Sequence, residues 1–477
     1  MTASDRSRAG DAERLPRDPQ PRALRAIEGD WPRTTRPLPW CLAGFLAMLW
    51  LLPFDSISLP VSLPLDAKLD RPFLLAIVAV WVLSLTLISG GGRLRMGPIH
   101  YAFAGFVLIA ILSLAHNAET VVRLGEMELG VRKLALLLSY FTLFVVVASS
   151  VRASEVRPFM TFMCGLAVMM ALGTIWEYRS EFNVFFEWTS KVIPVQLPGE
   201  LYVYDSIGRQ SVIGPTIHPL APAMMMACAL PYALVSMFNS QDVPRRLVWA
   251  AAAAIMVAAA LATQRKTSIL APTAAVLVLV AYRPRMLRQL VPAAAVLFVV
   301  VHLVTPGALG GVTEQLLPQN LFGVSSTIDR QSDYSAIQPD VVNQPLLGRG
   351  YETYDQKKYR ILDNQYLTTI IGTGIAGILA YLSIFAAIFL LAHRVARNGK
   401  GERVPIAMAI AAATVAMVLG SALLDLLALP QLPYLICFFA GFTAVLWREL
   451  AAETATSPAA LRGRGAGRAQ GPIPATR

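Results

Sequence analysis

Long apolar segments recur along almost the whole chain, and they constrain its fold more than any other feature. Each is close to the roughly 20 residues that a helix needs to cross the hydrocarbon core of a bilayer. The 477-residue sequence is 55% hydrophobic and only 15% charged, whereas about 25% charged residues is usual in a soluble domain. We therefore predict an all-α, polytopic integral membrane protein.

We predict about 12 transmembrane helices from the lengths of these segments. The predicted spans cover roughly residues 38–54, 73–89, 99–115, 134–150, 159–176, 219–238, 247–263, 267–281, 290–304, 366–392, 406–424 and 430–447. The membrane domain then covers residues 38–450. Residues 1–37 and 451–477 are polar, arginine-rich and poor in apolar residues, which predicts a disordered tail at each end.

The distribution of Lys and Arg predicts which side of the membrane each loop faces. Most of the 41 basic residues fall on the same side as the two tails, many of them in short connectors such as GGGRLRMG and YRPRMLRQ. Basic residues are retained in cytoplasmic loops, so both termini are predicted to be cytoplasmic. The two longest loops, about 177–218 and 305–365, then face outward.

The sequence gives no support for several kinds of partner, cofactor or cross-link. The net charge of +11 is explained by cytoplasmic arginines, so no nucleic-acid partner is implied. The four cysteines all lie in apolar segments, far apart, which favours packing over a disulfide or a zinc site. No glycine-rich nucleotide motif and no metal-spaced His or carboxylate cluster is present. We predict no cofactor and no metal.

The outward loops are too long to be simple connectors. Loops beyond about 15 residues are usually functional or disordered, and these two contain Trp188, Tyr202, Tyr334 and other aromatic residues that disorder does not favour. A short interfacial helix around Ser325–Ile337 is predicted within the second loop.

The richest site for chemistry is the junction at which the second loop enters a span, within Gly348–Leu382. Asp363, Asn364 and Tyr366 lie there, and ionisable groups at a membrane boundary are functional candidates. Two interpretations of Asp363 are open, because aspartate is also a common helix N-cap. Asn364 is predicted either to cap the helix or to bind sugar. Tyr366 and Tyr351 fit sugar stacking or an interfacial aromatic belt equally well.

Basic residues on the predicted outer side form a second candidate set, suited to an anionic ligand. A guanidinium group can donate two parallel hydrogen bonds to two phosphate oxygens, and it stays charged at physiological pH. Arg265 and Lys266 lie in the short link TQRKTS, and His218 precedes Pro219 at the start of a span. The alternative is that each arginine pairs with a nearby acid or extends to the interface. The set consists of Arg209, Arg265, Lys266, Arg330 and Arg349.

These motifs together resemble the O-antigen ligase and polymerase superfamily of bacterial envelope glycosyltransferases. The family signature runs Gly-x-Gly, then His-Asn-x-Tyr-Leu, then Glu-x-Gly with a further glycine. The similar residues here are Gly348, Gly350, Asp363, Asn364, Tyr366, Leu367, Gly374 and Gly377, preceded by Arg209, Gly214, His218, Pro219, Arg265 and Arg330. The resemblance covers roughly residues 40–447. The chain departs from the signature at two positions, where Asp363 replaces the histidine and Gly372 replaces the glutamate.

The resemblance implies a GT-C-like membrane fold in the bacterial inner membrane and transfer from an undecaprenyl-pyrophosphate-linked glycan. Asp363 and His218 would be catalytic, and the five basic residues would bind pyrophosphate. Asn364, Tyr366 and Tyr351 would contact the glycan. Expected partners are the lipid-linked glycan, the bilayer, a chain-length regulator and a flippase.

Three functions are compatible with these features. The first is polymerisation of lipid-linked repeat units into exopolysaccharide, capsule or O-antigen at the periplasmic face. The second is a ligase that moves finished glycan onto lipid A core or a protein. The third, from another class, is a polysaccharide flippase or transporter, although transporters place their charges near the midplane rather than at one surface.

The predicted orientation can be tested by cysteine labelling. Ser190 lies in the first outward loop and Ser240 in a predicted cytoplasmic connector. In a cysteine-free background, a membrane-impermeant maleimide should label Ser190→Cys in intact spheroplasts. It should label Ser240→Cys only after permeabilisation. The reverse pattern would invert the topology.

Overall fold

The computed structural model describes residues 29–57, 68–87, 95–193, 211–290, 324–356 and 358–456, with a few isolated residues between 298 and 310. For residues 324–333 it describes the backbone. Part of each predicted tail, the span at 290–304 and much of both long loops lie outside the described residues.

The described chain is helical and contains no β-strand. The helices of its first half are α1 (Pro37–Leu51), α2 (Asp70–Leu87), α3 (Pro98–His116), α4 (Ala118–Arg123), α5 (Met127–Ser150), α6 (Ala153–Ser180) and α7 (Val184–Ser190). Those of its second half are α8 (Leu220–Asn239), α9 (Val243–Ala262), α10 (Thr267–Tyr282), α11 (Val324–Asn343), α12 (Gln365–Asn398), α13 (Arg403–Ser421) and α14 (Gln431–Thr456).

Eight of the described helices are long and apolar enough to cross a membrane, namely α3, α5, α6, α8, α9, α12, α13 and α14. Two shorter apolar helices, α1 and α10, match further predicted spans. The all-α class and a membrane-embedded chain are therefore confirmed. The total of about twelve spans and the direction of the termini stay predictions.

Helix α8 is the centre of the bundle. In its apolar stretch 89% of the residues are buried, and it packs against α6, α9, α10 and α13. Its small and flexible side chains, mostly Ala and Met, let four neighbours approach closely. The alanine-rich face of α9, including Ala252 and Ala259, is buried in the same way.

The packed part of the chain begins a few residues before the predicted boundary at residue 37. Trp31 is 5% exposed and stacks on Phe159 of α6, with ring centroids 4.5 Å apart. Its backbone N–H donates to the buried Glu155 carboxylate at 2.8 Å, which also pairs with Arg36. This carboxylate fixes the residues before α1 against the first turn of α6.

Helix α12 is broken at Gly374, where the sequence predicts an uninterrupted span. Gly374 has φ 65° and ψ −162°, a conformation essentially reserved for glycine. A Cβ at this position would also collide with the backbone of Leu346. The break therefore needs glycine for two independent reasons.

The loop before α12 supplies the hydrogen bonds that the broken helix cannot make. The N–H groups of Arg349 and Gly350 donate to the carbonyls of Ile371 and Gly372 at 2.9 and 3.1 Å. On the other side of the break, Ile375 donates to the carbonyl of Pro345 at 2.9 Å. Unpaired backbone groups are costly away from water, so this exchange stabilises the break and fixes the loop on the helix.

Neighbouring helix α3 completes the same arrangement. The Ser113 hydroxyl donates to the Gly372 carbonyl at 2.7 Å, and the Asn117 amide donates to the Gly348 carbonyl at 2.8 Å. Gly348 has φ 64°, and a Cβ there would lie 2.6 Å from the backbone of Gly372. Residues 345–350 are thus held between α3 and α12.

Replacing Gly374 with alanine should destabilise the protein strongly. The backbone conformation alone costs about 1–3 kcal/mol for a non-glycine residue, and the collision with Leu346 adds to it. Thermal unfolding in detergent should show a clear fall in Tm. Gly105→Ala is the matched control, because a Cβ in the middle of α3 meets nothing within 4 Å. Equal Tm values for the two variants would contradict the role assigned to Gly374.

Candidate functional site

Three short connections meet at one end of the bundle. They are the turn 211–219 before α8, the link 263–266 between α9 and α10, and the junction 361–364 before α12. His218, Arg265 and Asp363 come one from each connection, and the charges of Arg265 and Asp363 both act on His218. The tertiary structure therefore brings together three residues that are up to 145 positions apart in the sequence.

Glu177 of α6 holds the turn 211–219 in place. Its buried carboxylate accepts hydrogen bonds from the N–H groups of Ile213 at 3.1 Å and Gly214 at 2.8 Å. Asn183 donates to the Gly214 carbonyl at 2.8 Å. Gly214 has φ 58°, so the turn depends on glycine as well as on this carboxylate.

The link between α9 and α10 is equally constrained. Gln264 adopts φ 51°, and Ser268 of α10 donates to the Arg265 carbonyl through both its N–H, at 2.9 Å, and its hydroxyl, at 2.6 Å. The Arg265 guanidinium donates to the Ser211 hydroxyl at 2.9 Å. Arg265 is thereby oriented across the turn that Glu177 fixes.

At the third connection the helix cap is Asn364, not Asp363. The Asn364 side-chain oxygen accepts a hydrogen bond from the Tyr366 N–H at 2.9 Å, so the capping role belongs to Asn364, while sugar binding by Asn364 stays a prediction. Asp363 is exposed, and among the described residues its carboxylate accepts no hydrogen bond. The cap positions the acid next to a helix start without using its oxygens.

His218 is placed as a hydrogen-bond donor. Its Nδ1 accepts the N–H of Leu220 at 3.3 Å, so a neutral imidazole carries its proton on Nε2. Burial, followed by the positive charge of Arg265, lowers the pKa of His218 below its ordinary value, and the Asp363 carboxylate acts against them. The imidazole is therefore neutral at pH 7.

The three side chains have complementary abilities. Arg265 offers a fixed positive charge and two parallel donors for an anion. Asp363 offers an exposed carboxylate, a group that can act as a proton acceptor. His218 offers a neutral N–H donor. The arrangement can bind an anionic group and take a proton from a neutral one within the same space.

Arg349 lies in a separate ion-pair network. Its guanidinium donates to Glu126 at 2.7 Å, to Tyr359 at 3.1 Å and to Asp340 at 3.4 Å. Burial opposes its charge, but the Tyr359 hydrogen bond and the two acids outweigh burial and raise the pKa of Arg349. The side chain is only 11% exposed. These contacts match the alternative in which an arginine pairs with nearby acids.

The predicted aromatic contacts face the protein interior. The Tyr366 hydroxyl donates to the Val418 carbonyl of α13 at 2.6 Å, and its ring is half-buried. Tyr351 is 5% exposed and packs edge-on against Phe106 of α3, with centroids 6.1 Å apart. Contact of either residue with glycan stays a prediction.

The remaining basic residues are only partly described. Lys266 follows Arg265 and stands just before the first residue of α10. The backbone of Arg330 lies in α11, which confirms the helix predicted around Ser325–Ile337 and extends it to Val324–Asn343. Arg209 lies outside the described residues. Pyrophosphate binding by these three residues stays a prediction.

Several buried acids were missed by the sequence-based reasoning, and Glu177 and Asp425 are the two that bear on the sites described here. Glu177 and Asp425 are 4% and 9% exposed. Each is an isolated acid at the end of an apolar segment, in GTIWEYRS and SALLDLLALP. This placement could have identified them from the sequence, because a carboxylate in an apolar segment is energetically costly unless it has a specific role.

In the part of the chain that the structure describes, no group of three or more His, Cys, Asp or Glu side chains is arranged to hold a metal ion. Neither a protein-family model nor a curated protein sequence matches the chain. The site is therefore interpreted from its own geometry.

The identity of the cap predicts different effects for adjacent residues. Asn364→Ala should lower the stability by about 1 kcal/mol because it removes an N-cap hydrogen bond. Asp363→Ala should leave the stability nearly unchanged, since its carboxylate makes no hydrogen bond with the described residues. Thermal unfolding of both variants in detergent measures the difference. A larger loss for Asp363→Ala would identify that residue as the structural one.

Proposed function

We propose that the protein is a metal-independent inverting glycosyltransferase that joins undecaprenyl-pyrophosphate-linked oligosaccharide repeat units into a polymer at the periplasmic face of the inner membrane. The product would be an exopolysaccharide, capsule or O-antigen. The observation that carries this proposal is the meeting of Arg265, Asp363 and His218 at one end of a membrane-embedded helical bundle.

The reaction requires few chemical groups. A hydroxyl oxygen of the acceptor sugar attacks the anomeric carbon of the donor sugar from the face opposite the pyrophosphate. The new C–O bond forms as the bond to the pyrophosphate breaks, and the pyrophosphate leaves with the electron pair. The hydroxyl proton passes to a carboxylate. No general acid is needed because the leaving group is already a stable anion.

Each of the three residues fits one requirement of this reaction. Arg265 would hold the pyrophosphate and offset the charge that develops on it as the bond breaks. Asp363 would accept the proton of the attacking hydroxyl, for which an exposed carboxylate without a competing hydrogen bond is suited. His218 would donate its Nε2 proton as a hydrogen bond to an oxygen of the leaving group or of the sugar.

Preorganisation supports the same proposal. Glu177 fixes the turn that carries Ser211 and His218, and Ser211 orients Arg265. Asn364, directly after Asp363, caps the first turn of α12. Donors held in place before the substrate binds cost no reorganisation during the reaction. A binding surface alone would not require such rigid support.

Transfer of finished glycan to lipid A core or to a protein would use the same three residues and is the second candidate. Transport is less well supported by the contacts. His218, Arg265 and Asp363 all lie in connections at helix ends, whereas the ion sites of transporters are built at broken helices near the membrane midplane. The break in α12 is closed by backbone hydrogen bonds from residues 345–350.

The proposal predicts loss of polymer formation when the trio is altered. With purified protein and an undecaprenyl-pyrophosphate-linked oligosaccharide, Arg265→Ala should reduce turnover about 100- to 1,000-fold. Asp363→Asn should reduce it by a similar factor, about 100-fold or more, through loss of the proton acceptor. Arg265→Lys should be more active than Arg265→Ala but less active than the wild type, because lysine cannot bind phosphate in a bidentate manner.

Arg123→Ala is the matched control for these variants. Arg123 is predicted to lie on the same outer side and is 71% exposed, and its ion pair among the described residues is with Glu119 on its own helix. The control should keep full activity. Normal product length from Arg265→Ala and Asp363→Asn, in protein that unfolds like the wild type, would overturn the proposed site. Products from a lipid A core acceptor but not from a second lipid-linked glycan would favour the ligase.

A further inference from the structure

Asp425 is a buried acid in the connection between α13 and α14 and is not one of the trio described above. Its neighbours are fixed on the first turn of α12. The Gln365 N–H donates to the Leu424 carbonyl at 3.2 Å, and the Gln365 side-chain oxygen accepts the Leu427 N–H at 2.6 Å. Because Gln365 is itself fully buried, Asp425 has little freedom to move out to water.

The two oxygens of Asp425 have unequal surroundings. Oδ2 accepts hydrogen bonds from the Gln356 amide at 2.9 Å and from the Thr368 hydroxyl at 3.4 Å. Oδ1 is buried and has no hydrogen-bond partner among the residues that the structure describes. A buried ionised carboxylate with one bare oxygen is costly, and protonation of that oxygen removes the charge without moving any other group.

A second acid, Glu352, faces the same space. Its side chain is 11% exposed and lies 3.8 Å from the Lys133 ammonium of α5. Glu352 has φ 53°, a left-handed conformation that is uncommon for a non-glycine residue. The absence of a side chain at Gly372 leaves room for the Glu352 backbone, since a Cβ at position 372 would lie 3.2 Å from the Glu352 nitrogen. Strained backbone of this kind is concentrated at functional sites.

The charges around Asp425 do not cancel when both acids are ionised. Glu352 and Lys133 act on Asp425 with opposite signs. In the described part of the chain, the other titratable groups that interact electrostatically with Asp425 are the phenols of Tyr351 and Tyr381, which are neutral at pH 7. Two carboxylates and one ammonium leave a net negative charge in a buried space, and one proton neutralises it.

We propose that Asp425 is a proton-binding site whose affinity for the proton is set by the opposing charges of Glu352 and Lys133. Burial and the charge of Glu352 raise the pKa of Asp425 to about 7, against the lowering effects of Lys133, Gln356 and Thr368. The site therefore exchanges its proton close to neutral pH. This inference does not depend on the transferase proposal.

The consequence is a link between proton binding and the packing of α12. The proton sits where the connection 422–430 and the loop around residue 352 meet the first turn of this helix. When the proton leaves, the added negative charge weakens that contact. Because Asn364 and Asp363 precede the same turn, the state of the proton site also affects the junction of the candidate functional site.

The pH dependence of stability tests the proposal without a glycan substrate. The folded chain keeps the proton up to about pH 7, whereas an aspartate in the unfolded chain releases it near pH 4. The folded state thus binds more protons across this window, so stability falls as the pH rises through it. The Tm of the purified protein in nanodiscs should show this fall, and Asp425→Asn should remove most of it.

Substitution of Glu352 and of Lys133 tests the direction in which each charge shifts the pH transition. Glu352→Gln removes a negative charge, so the midpoint of the pH transition should move to lower pH. Lys133→Met removes a positive charge, so the midpoint should move to higher pH. The two midpoints should therefore move in opposite directions. A purely structural role would not produce opposite shifts. These two variants keep the test valid if Asp425→Asn fails to fold.

Infrared spectroscopy provides a direct readout of the proton. The wild type should show a carboxylic acid C=O band that disappears as the pH is raised above neutral and that is absent in Asp425→Asn. Glu128→Gln is the control, since Glu128 lies on the same helix as Lys133 but is 71% exposed. The control should keep the wild-type band and Tm profile. An unchanged band and an unchanged pH profile in Asp425→Asn would overturn the proposal, as would shifts of the same sign in the two neighbour variants.

Discussion

The structure depends on how the interrupted helix α12 satisfies its backbone. At Gly374 the helix cannot continue its own hydrogen bonds, and residues 345–350 supply them from outside. A helix broken inside an apolar bundle is tolerated only where such partners are present. The same exchange fixes the loop that carries Arg349 and Glu352, and Asn117 of α3 ties this loop to the bundle through the Gly348 carbonyl. The polar groups near the start of α12 can therefore be held rigidly.

Charge is the second organising constraint. His218, Arg265 and Asp363 come from three connections that have little freedom, because each is held by a turn or a cap. Arg349 belongs to a different network, in which acids and tyrosines surround the guanidinium. Asp425 and Glu352 form a third group, beneath the first turn of α12. Electrostatic interactions strengthen as water is excluded, so these small groups have large effects on a bundle that is otherwise apolar.

The sequence predicted the parts that follow from local chemistry. Segment length and hydropathy identified the helices α3, α5, α6, α8, α9, α12, α13 and α14. The position of Asp363 beside Asn364 marked a helix start correctly. Which of the two caps the helix depends on backbone geometry at that turn, and an aspartate and an asparagine are equally good caps in isolation. Likewise, glycine spacing pointed to Gly374, but only the approach of Leu346 explains why glycine is required there.

The sequence alone determined that this chain is a membrane-embedded all-α protein, since long apolar segments have no other stable environment. It also singled out Asp363, His218 and Arg265 as residues of interest. Only the tertiary structure decided that these three share one space, that Arg349 is engaged elsewhere, and that Asp425 lies near Glu352. Hydropathy is a sum over neighbouring residues and can be read locally. Proximity between residues far apart in the chain arises from how helices pack, and no local pattern encodes it.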